Sequence, residues 1–273
     1  METVNVLDFL TDSAEDAFTS RRDALKTLAQ VGLGAALASV PLLGGVPRRA
    51  AAQSAPSAVD ILNYALTLEY LEDAYYRQGL DATLESGDSL IRGDARDIYG
   101  KISAHESAHV TLLADTISNM GGTPVAFEDS DFDFTAGGAF DPFGDYATFL
   151  LLSQAFEDTG VRAYKGQAGF LAGNELLTPA LQIHSVEARH AAEVRRLRAE
   201  KGASVKPWIT LDDGTDGSPI EAVYAGEESV TQAGVDQTTL GDYSAESASE
   251  AYDEPLTRDA VAGSDGIAAP FFA

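Results

Sequence analysis

Two Glu-x-x-His pairs stand out in this chain, Glu106-Ser107-Ala108-His109 and Glu187-Ala188-Arg189-His190. Each lies inside a long stretch with helical periodicity. A three-residue step there returns a side chain to the same face, about one turn further on. Each pair has an earlier glutamate on an equally apolar stretch, Glu69 for the first and Glu157 for the second. Together the carboxylates of Glu69, Glu106, Glu157 and Glu187 and the imidazoles of His109 and His190 form a ligand set for two metal ions in a bundle core. A carboxylate buried without partners costs several kcal/mol, and four in one place also repel one another. Two divalent cations would offset the four charges, while the histidines add neutral nitrogen donors. Oxygen-rich ligation with some imidazole suits iron or manganese better than zinc. The sequence therefore predicts two iron ions or, alternatively, two manganese ions. Glu106 and Glu187 are expected to bridge them, with Glu69 and Glu157 terminal. The same six residues are the expected catalytic residues.

Other polar side chains near these positions have weaker signals. Glu72, one turn beyond Glu69, is an alternative to it, but a shared spacing favours Glu69: Tyr76 follows Glu69 by seven residues, as Tyr164 follows Glu157. These tyrosines are read as hydrogen-bond donors or electron conduits beside the site, or as plain core tyrosines. His105 is adjacent to Glu106 and so points about 100° around the helix, which predicts a surface residue. His184 is one turn before Glu187. Arg162 and Arg189 are expected to pair with acids near the core.

Four helices must carry the six residues. The first is predicted from Ala58 to Gln78, with Gly79 as its stop. The second runs from about Gly93 to Met120 with an inward stripe of Ile102, Glu106, His109, Leu113 and Ile117. Residues 121–143, rich in Gly, Pro, acid and Phe, read as a long connection of the kind that joins parallel neighbours. The third helix is predicted from Asp145 to Ala172. The fourth runs from about Asn174 to Lys201, with Pro179 tolerated in its first turn and Arg195, Arg196 and Arg198 near the negative pole of its dipole. The repeated Glu-to-Tyr and Glu-to-His spacings predict a pseudo-twofold that brings the six residues to one level. The fold class is all-α: a four-helix bundle over 58–202 with a crossover between helices two and three. An irregular acidic tail over 203–273 packs on the bundle through Trp208 and Ile209 or is partly mobile, notably from Thr231 to Tyr252.

Of the 273 residues, 45% are hydrophobic, which suits one well-buried domain. Asp and Glu outnumber Lys and Arg by 43 to 18, a net charge of −25. Such a chain repels nucleic acid and anionic membrane surfaces, so neither is an expected partner. Only five of the basic residues are lysines, and heavy acid with few lysines fits a protein from concentrated salt, where screening relieves self-repulsion, with an ordinary acidic protein as the alternative. The absence of cysteine rules out disulfides and thiolate ligands. Before the bundle, residues 1–52 read as a twin-arginine export signal: Ser20-Arg21-Arg22-Asp23-Ala24-Leu25-Lys26, an apolar run from Leu28 to Val46, and Ala50-Ala51-Ala52-Gln53 as a cleavage site. The expected partner is the twin-arginine machinery and the expected location extracellular or at the cell surface, with an uncleaved membrane anchor as the alternative. That route carries folded proteins, so metal would be loaded before export.

With these residues the chain resembles the ferritin-like superfamily. Within it, Asn63-Tyr64-Ala65-Leu66-Thr67-Leu68-Glu69-Tyr70-Leu71-Glu72 is similar to the first helix of the ferritin-like domain of desiccation-related proteins. The resemblance covers roughly residues 58–202 and implies a ferritin-like bundle with Glu69, Glu106, His109, Glu157, Glu187 and His190 as ligands. One bundle hosts many chemistries, and three functions follow as expectations. The first is an exported dinuclear oxidoreductase that binds iron(II) and oxidises it with dioxygen or peroxide. The second is a dimanganese peroxide dismutase, and the third a non-enzymatic protein protective in drying or salt stress. The long tail and the export signal argue against a closed iron-storage shell and leave a homo-oligomer open.

Overall fold

The computed structural model describes residues 56–213 and 220–273. The twin-arginine segment and the apolar run after it lie outside the described residues. Among the described residues no helix is long and apolar enough to cross a membrane.

Four long helices dominate: α1 (Ala58–Asp81), α2 (Asp94–Asn119), α3 (Tyr146–Ala168) and α4 (Leu177–Glu200). They pack mainly as two pairs, α1 along α2 and α3 along α4, joined by the α1–α3 contact. The pairing follows from the connections, since the short α1–α2 and α3–α4 links make antiparallel neighbours while the long middle link crosses the bundle. Helix starts are set locally. Ser57 accepts from the Asp60 backbone N–H while Asp60 accepts from that of Ser57, a reciprocal cap. Asp145 accepts from the backbone N–H of Thr148 at the start of α3. Pro179 sits in the first turn of α4, where no intrahelical N–H is needed.

Gly79 does not stop α1, which continues to Asp81. A Cβ at Gly79 would lie 2.3 Å from Cε2 of Phe149. The glycine is there for close approach of α1 to the ring on α3. Phe149 in turn stacks on Tyr75 at 4.9 Å, and Phe134, Phe143 and Phe156 surround the same tyrosine. The Phe-rich crossover thus fills the core rather than skirting it, and its backbone is stitched to the C-terminus: Asp133 N–H donates to Phe271 O, and Ala273 N–H to Asp131 O.

The tail is irregular, with a minimal hairpin of β1 (Thr231–Gln232) and β2 (Val235–Asp236) and two short helices, α5 (Ala245–Ser249) and α6 (Arg258–Ala262). Buried arginines of the bundle hold it. Arg162 on α3 donates to the carbonyls of Val223, Ala225 and Glu254 and pairs with Glu227 at 2.7 Å. Arg195 on α4 pairs with Asp158 at 2.6 Å and Asp213 at 2.8 Å. Arg195 therefore answers buried acids rather than the helix dipole alone. Arg189 is exposed. Ile209 is buried as expected, whereas Trp208 is half exposed.

Candidate metal centre

The four long helices each deliver glutamate to one level of the core: Glu69 from α1, Glu106 from α2, Glu157 from α3 and Glu187 from α4. All four are fully buried, His190 is 5% exposed and His109 9%. Their donor atoms fall into two groups. Glu69, Glu106, His109 and Glu187 form one, and Glu106, Glu157, Glu187 and His190 form the other, with the donor atoms of each group within 4.8 Å of one another. Glu106 and Glu187 belong to both. The structure thus brings all six predicted residues together, with the two glutamates expected to bridge standing between the other four.

The contacts are those of converging donors. His109 Nδ1 lies 3.1 Å from Glu69 Oε2, 3.0 Å from Glu106 Oε2 and 3.1 Å from Glu187 Oε1. One ring nitrogen carries one proton at most, so it cannot satisfy three carboxylates from three helices. On the other side His190 Nδ1 is 2.8 Å from Glu106 Oε1, 3.4 Å from Glu157 Oε2 and 3.5 Å from Glu187 Oε2. Yet His190 Nδ1, Glu106 Oε1, Glu157 Oε2 and both oxygens of Glu187 have no aligned hydrogen-bond partner. Buried polar atoms are almost always satisfied. Five that converge without satisfying one another fit a cation-binding role, and the donor set of carboxylate and imidazole fits iron or manganese.

Without a cation, protonation must absorb the strain. Burial raises the Glu69 carboxyl well above its usual range, and Glu187 beside it adds to the rise. Burial likewise lifts Glu157 to about 8, although His190 opposes the shift. Burial disfavours charge on His109, but Glu106, Glu187 and Glu69 outweigh it and push the imidazole up to about 12. Burial would raise Glu187, yet the two histidines hold it down to about 2.

The tyrosines are not plain core residues. Tyr76 on α1 donates to Glu157 Oε1 on α3 at 2.5 Å, and Tyr164 on α3 donates to Glu69 Oε1 on α1. Each tyrosine serves the glutamate of the other helix, the crosswise form of the pseudo-twofold. Two neighbours exceed their sequence reading. His105 is exposed as expected, yet its Nδ1 is 2.9 Å from His190 Nε2 and the rings stack at 5.2 Å. This contact orients His190 so that Nδ1 faces the carboxylates. Its signal was the four-residue step to His109, which places both on one face. Glu72 does not replace Glu69 but stands beside it as a fifth buried glutamate, 3% exposed. Burial and then Glu187 raise its carboxyl well above the usual range. His184 has a buried Nδ1 without a hydrogen-bond partner among the described residues.

Fold and site together define a helical bundle with a buried carboxylate–histidine cluster compatible with a dinuclear metal centre. The ferritin-like domain model matches residues 57–200, more than half of the chain, and the chain belongs to that family. No curated protein matches it.

Proposed function

We propose that the protein binds two iron ions at Glu69, Glu106, His109, Glu157, Glu187 and His190 and oxidises iron(II) with dioxygen or peroxide. The observation that carries this reading is the sharing of Glu106 and Glu187 between two four-residue donor groups. When bound, two iron(II) ions supply the two electrons that peroxide takes up, or half of those that dioxygen takes up in full reduction to water. The protein's part is to hold and orient. Glu106 and Glu187 span the two positions, Glu69 with His109 and Glu157 with His190 close the ends, and Tyr164 and Tyr76 fix the two terminal carboxylates. The resemblance of Asn63–Glu72 supports a place among desiccation-related ferritin-like proteins, and the Ser20–Lys26 motif supports export by the twin-arginine route to the cell exterior.

Metal analysis of the purified protein, beside a Glu106→Ala/Glu187→Ala variant, tests the centre. The expected result is about two iron per chain, lost in the variant, with iron(II)-dependent consumption of dioxygen or peroxide. Two manganese per chain with oxygen release from peroxide would replace this reading with peroxide dismutation. No metal after attempted reloading would refute both and favour a non-enzymatic protective role.

A further inference from the structure

A cavity of about 250 Å³ lies between α1, α3 and the tail. Its inner wall is apolar and buried: Leu68 and Leu71 from α1, Leu152, Ala155 and Phe156 from α3, closed over by Phe271. Its rim is exposed at Ala222, Asp265 and Pro270. At the inner end one charged side chain, Glu72, lines the wall, and beside it stands Gly160. A Cβ on Gly160 would lie 3.2 Å from Glu72 Oε1 and 3.9 Å from Glu187 Oε2. The missing side chain therefore leaves only Glu72 between the cavity and a carboxylate shared by both donor groups. Glu72 makes no hydrogen bond or ion pair with the described residues. The remaining inner hydroxyl, that of Thr159, is taken by the Ala155 carbonyl at 2.6 Å.

From this arrangement we infer that the cavity is a binding pocket for a small, uncharged, mostly apolar organic molecule, held against the dinuclear centre with its polar end at Glu72. Apolar walls remove the hydration that a charged ligand would need. An anion would also approach five buried glutamates. The volume suits an arene or a short alkyl chain, since an apolar cavity of about 150 Å³ already holds benzene. Unlike the six converging residues, Glu72 faces both the centre and the cavity, which gives its burial a purpose that metal ligation alone does not. The inference extends the dinuclear reading but the pocket itself is formed without metal.

Calorimetric titration of the 273-residue chain with toluene, hexan-1-ol and hexanoate tests it. Toluene and hexan-1-ol should bind saturably, one per chain, and hexanoate at least about tenfold more weakly. Ala155→Phe, which fills the inner end, and Ala222→Trp, which blocks the exposed rim, should each weaken toluene about tenfold or more while circular dichroism and metal content stay as in the parent. Should Ala155→Phe fold poorly, Ala222→Trp carries the comparison, because its site is on the surface. Glu72→Leu should weaken hexan-1-ol and spare toluene. Absence of saturable toluene binding, equal binding of hexanoate, or indifference of binding to Ala222→Trp would overturn the inference. Metal content in the same preparations reports on the dinuclear reading separately: toluene binding to a protein that takes up no metal would leave the pocket standing and refute the centre.

Discussion

The crosswise tyrosines allow the two halves of the centre to be weakened one at a time. Tyr76 serves Glu157, which groups with His190, and Tyr164 serves Glu69, which groups with His109. Both phenols are at least nine-tenths buried, so water does not replace a lost donor. A hydrogen bond to a charged group contributes about 1.5–3 kcal/mol, and about 1.4 kcal/mol is tenfold in affinity. Tyr76→Phe or Tyr164→Phe should therefore cost one metal position roughly 10- to 100-fold, the range seen when partners of metal ligands are removed. Anaerobic titration with manganese(II) in single-site backgrounds separates the two. In His190→Ala, the surviving position is that of Glu69 and His109, and Tyr164→Phe should weaken it while Tyr76→Phe leaves it nearly unchanged. In His109→Ala the order should reverse. If Tyr76→Phe weakened the surviving position of His190→Ala as much as Tyr164→Phe does, the crosswise assignment would be wrong.

Gly79→Ala should destabilise the protein despite alanine's better helix propensity. The clash with Phe149 costs about 1–3 kcal/mol of overpacking against a gain of about 1 kcal/mol, a net loss of up to about 2 kcal/mol, so Tm should fall by up to several degrees, and a rise would show that Phe149 yields freely. His105→Phe keeps the ring stack but removes the 2.9 Å contact to His190. It should lower metal affinity about 10-fold or more without lowering Tm of the metal-free protein, and unchanged affinity in titration would refute the orienting role. Metal-free stability should fall as pH rises from about 5 to 8. Glu157 at about 8 and Glu227 at about 7, both raised by burial, bind protons in the folded state that the unfolded chain has released above its ordinary carboxylate range. His109 acts in the same sense, its stabilisation being complete below the ordinary imidazole range and lost as pH climbs toward about 12. Glu187, held near 2, keeps its full stabilisation across this window and loses it only as pH falls from the ordinary carboxylate range toward 2. Because bound metal displaces the protons on Glu157 and His109, the Tm gain on adding manganese(II) should grow over the same range, and a gain that shrinks would contradict the protonation scheme. With a net charge of −25, Tm should also rise between about 0.1 M and 1 M salt, where the screening length shortens from about 10 Å to 3 Å; a flat melting profile would argue against adaptation to salt.

The six converging residues and the four helices that carry them were legible from residue order because helical geometry is nearly rigid. Glu-x-x-His places its side chains on one face whatever surrounds it, and four such faces bearing buried carboxylates have few ways to be neutralised. The repeated seven-residue step to tyrosine was legible for the same reason, but not whom the tyrosines serve. Tyr76 and Tyr164 reach across to the opposite helix, and that depends on how closely α1 and α3 approach. Gly79 shows why local reasoning stops there. In a linear reading glycine ends a helix, while in the packed bundle it continues the helix and makes room for Phe149. His105 is a surface residue by its angle on α2, and only the proximity of α4 turns its ring against His190. The Phe-rich crossover read only as a long connection, because its acids and glycines mask rings that the core absorbs through Tyr75. Arg162 and the cavity at Glu72 depend on where the tail lies, and the tail has no periodicity to announce it. Periodic segments carry their own geometry, whereas contacts between segments far apart in the chain are set by shape and charge complementarity that exists only once the chain has folded.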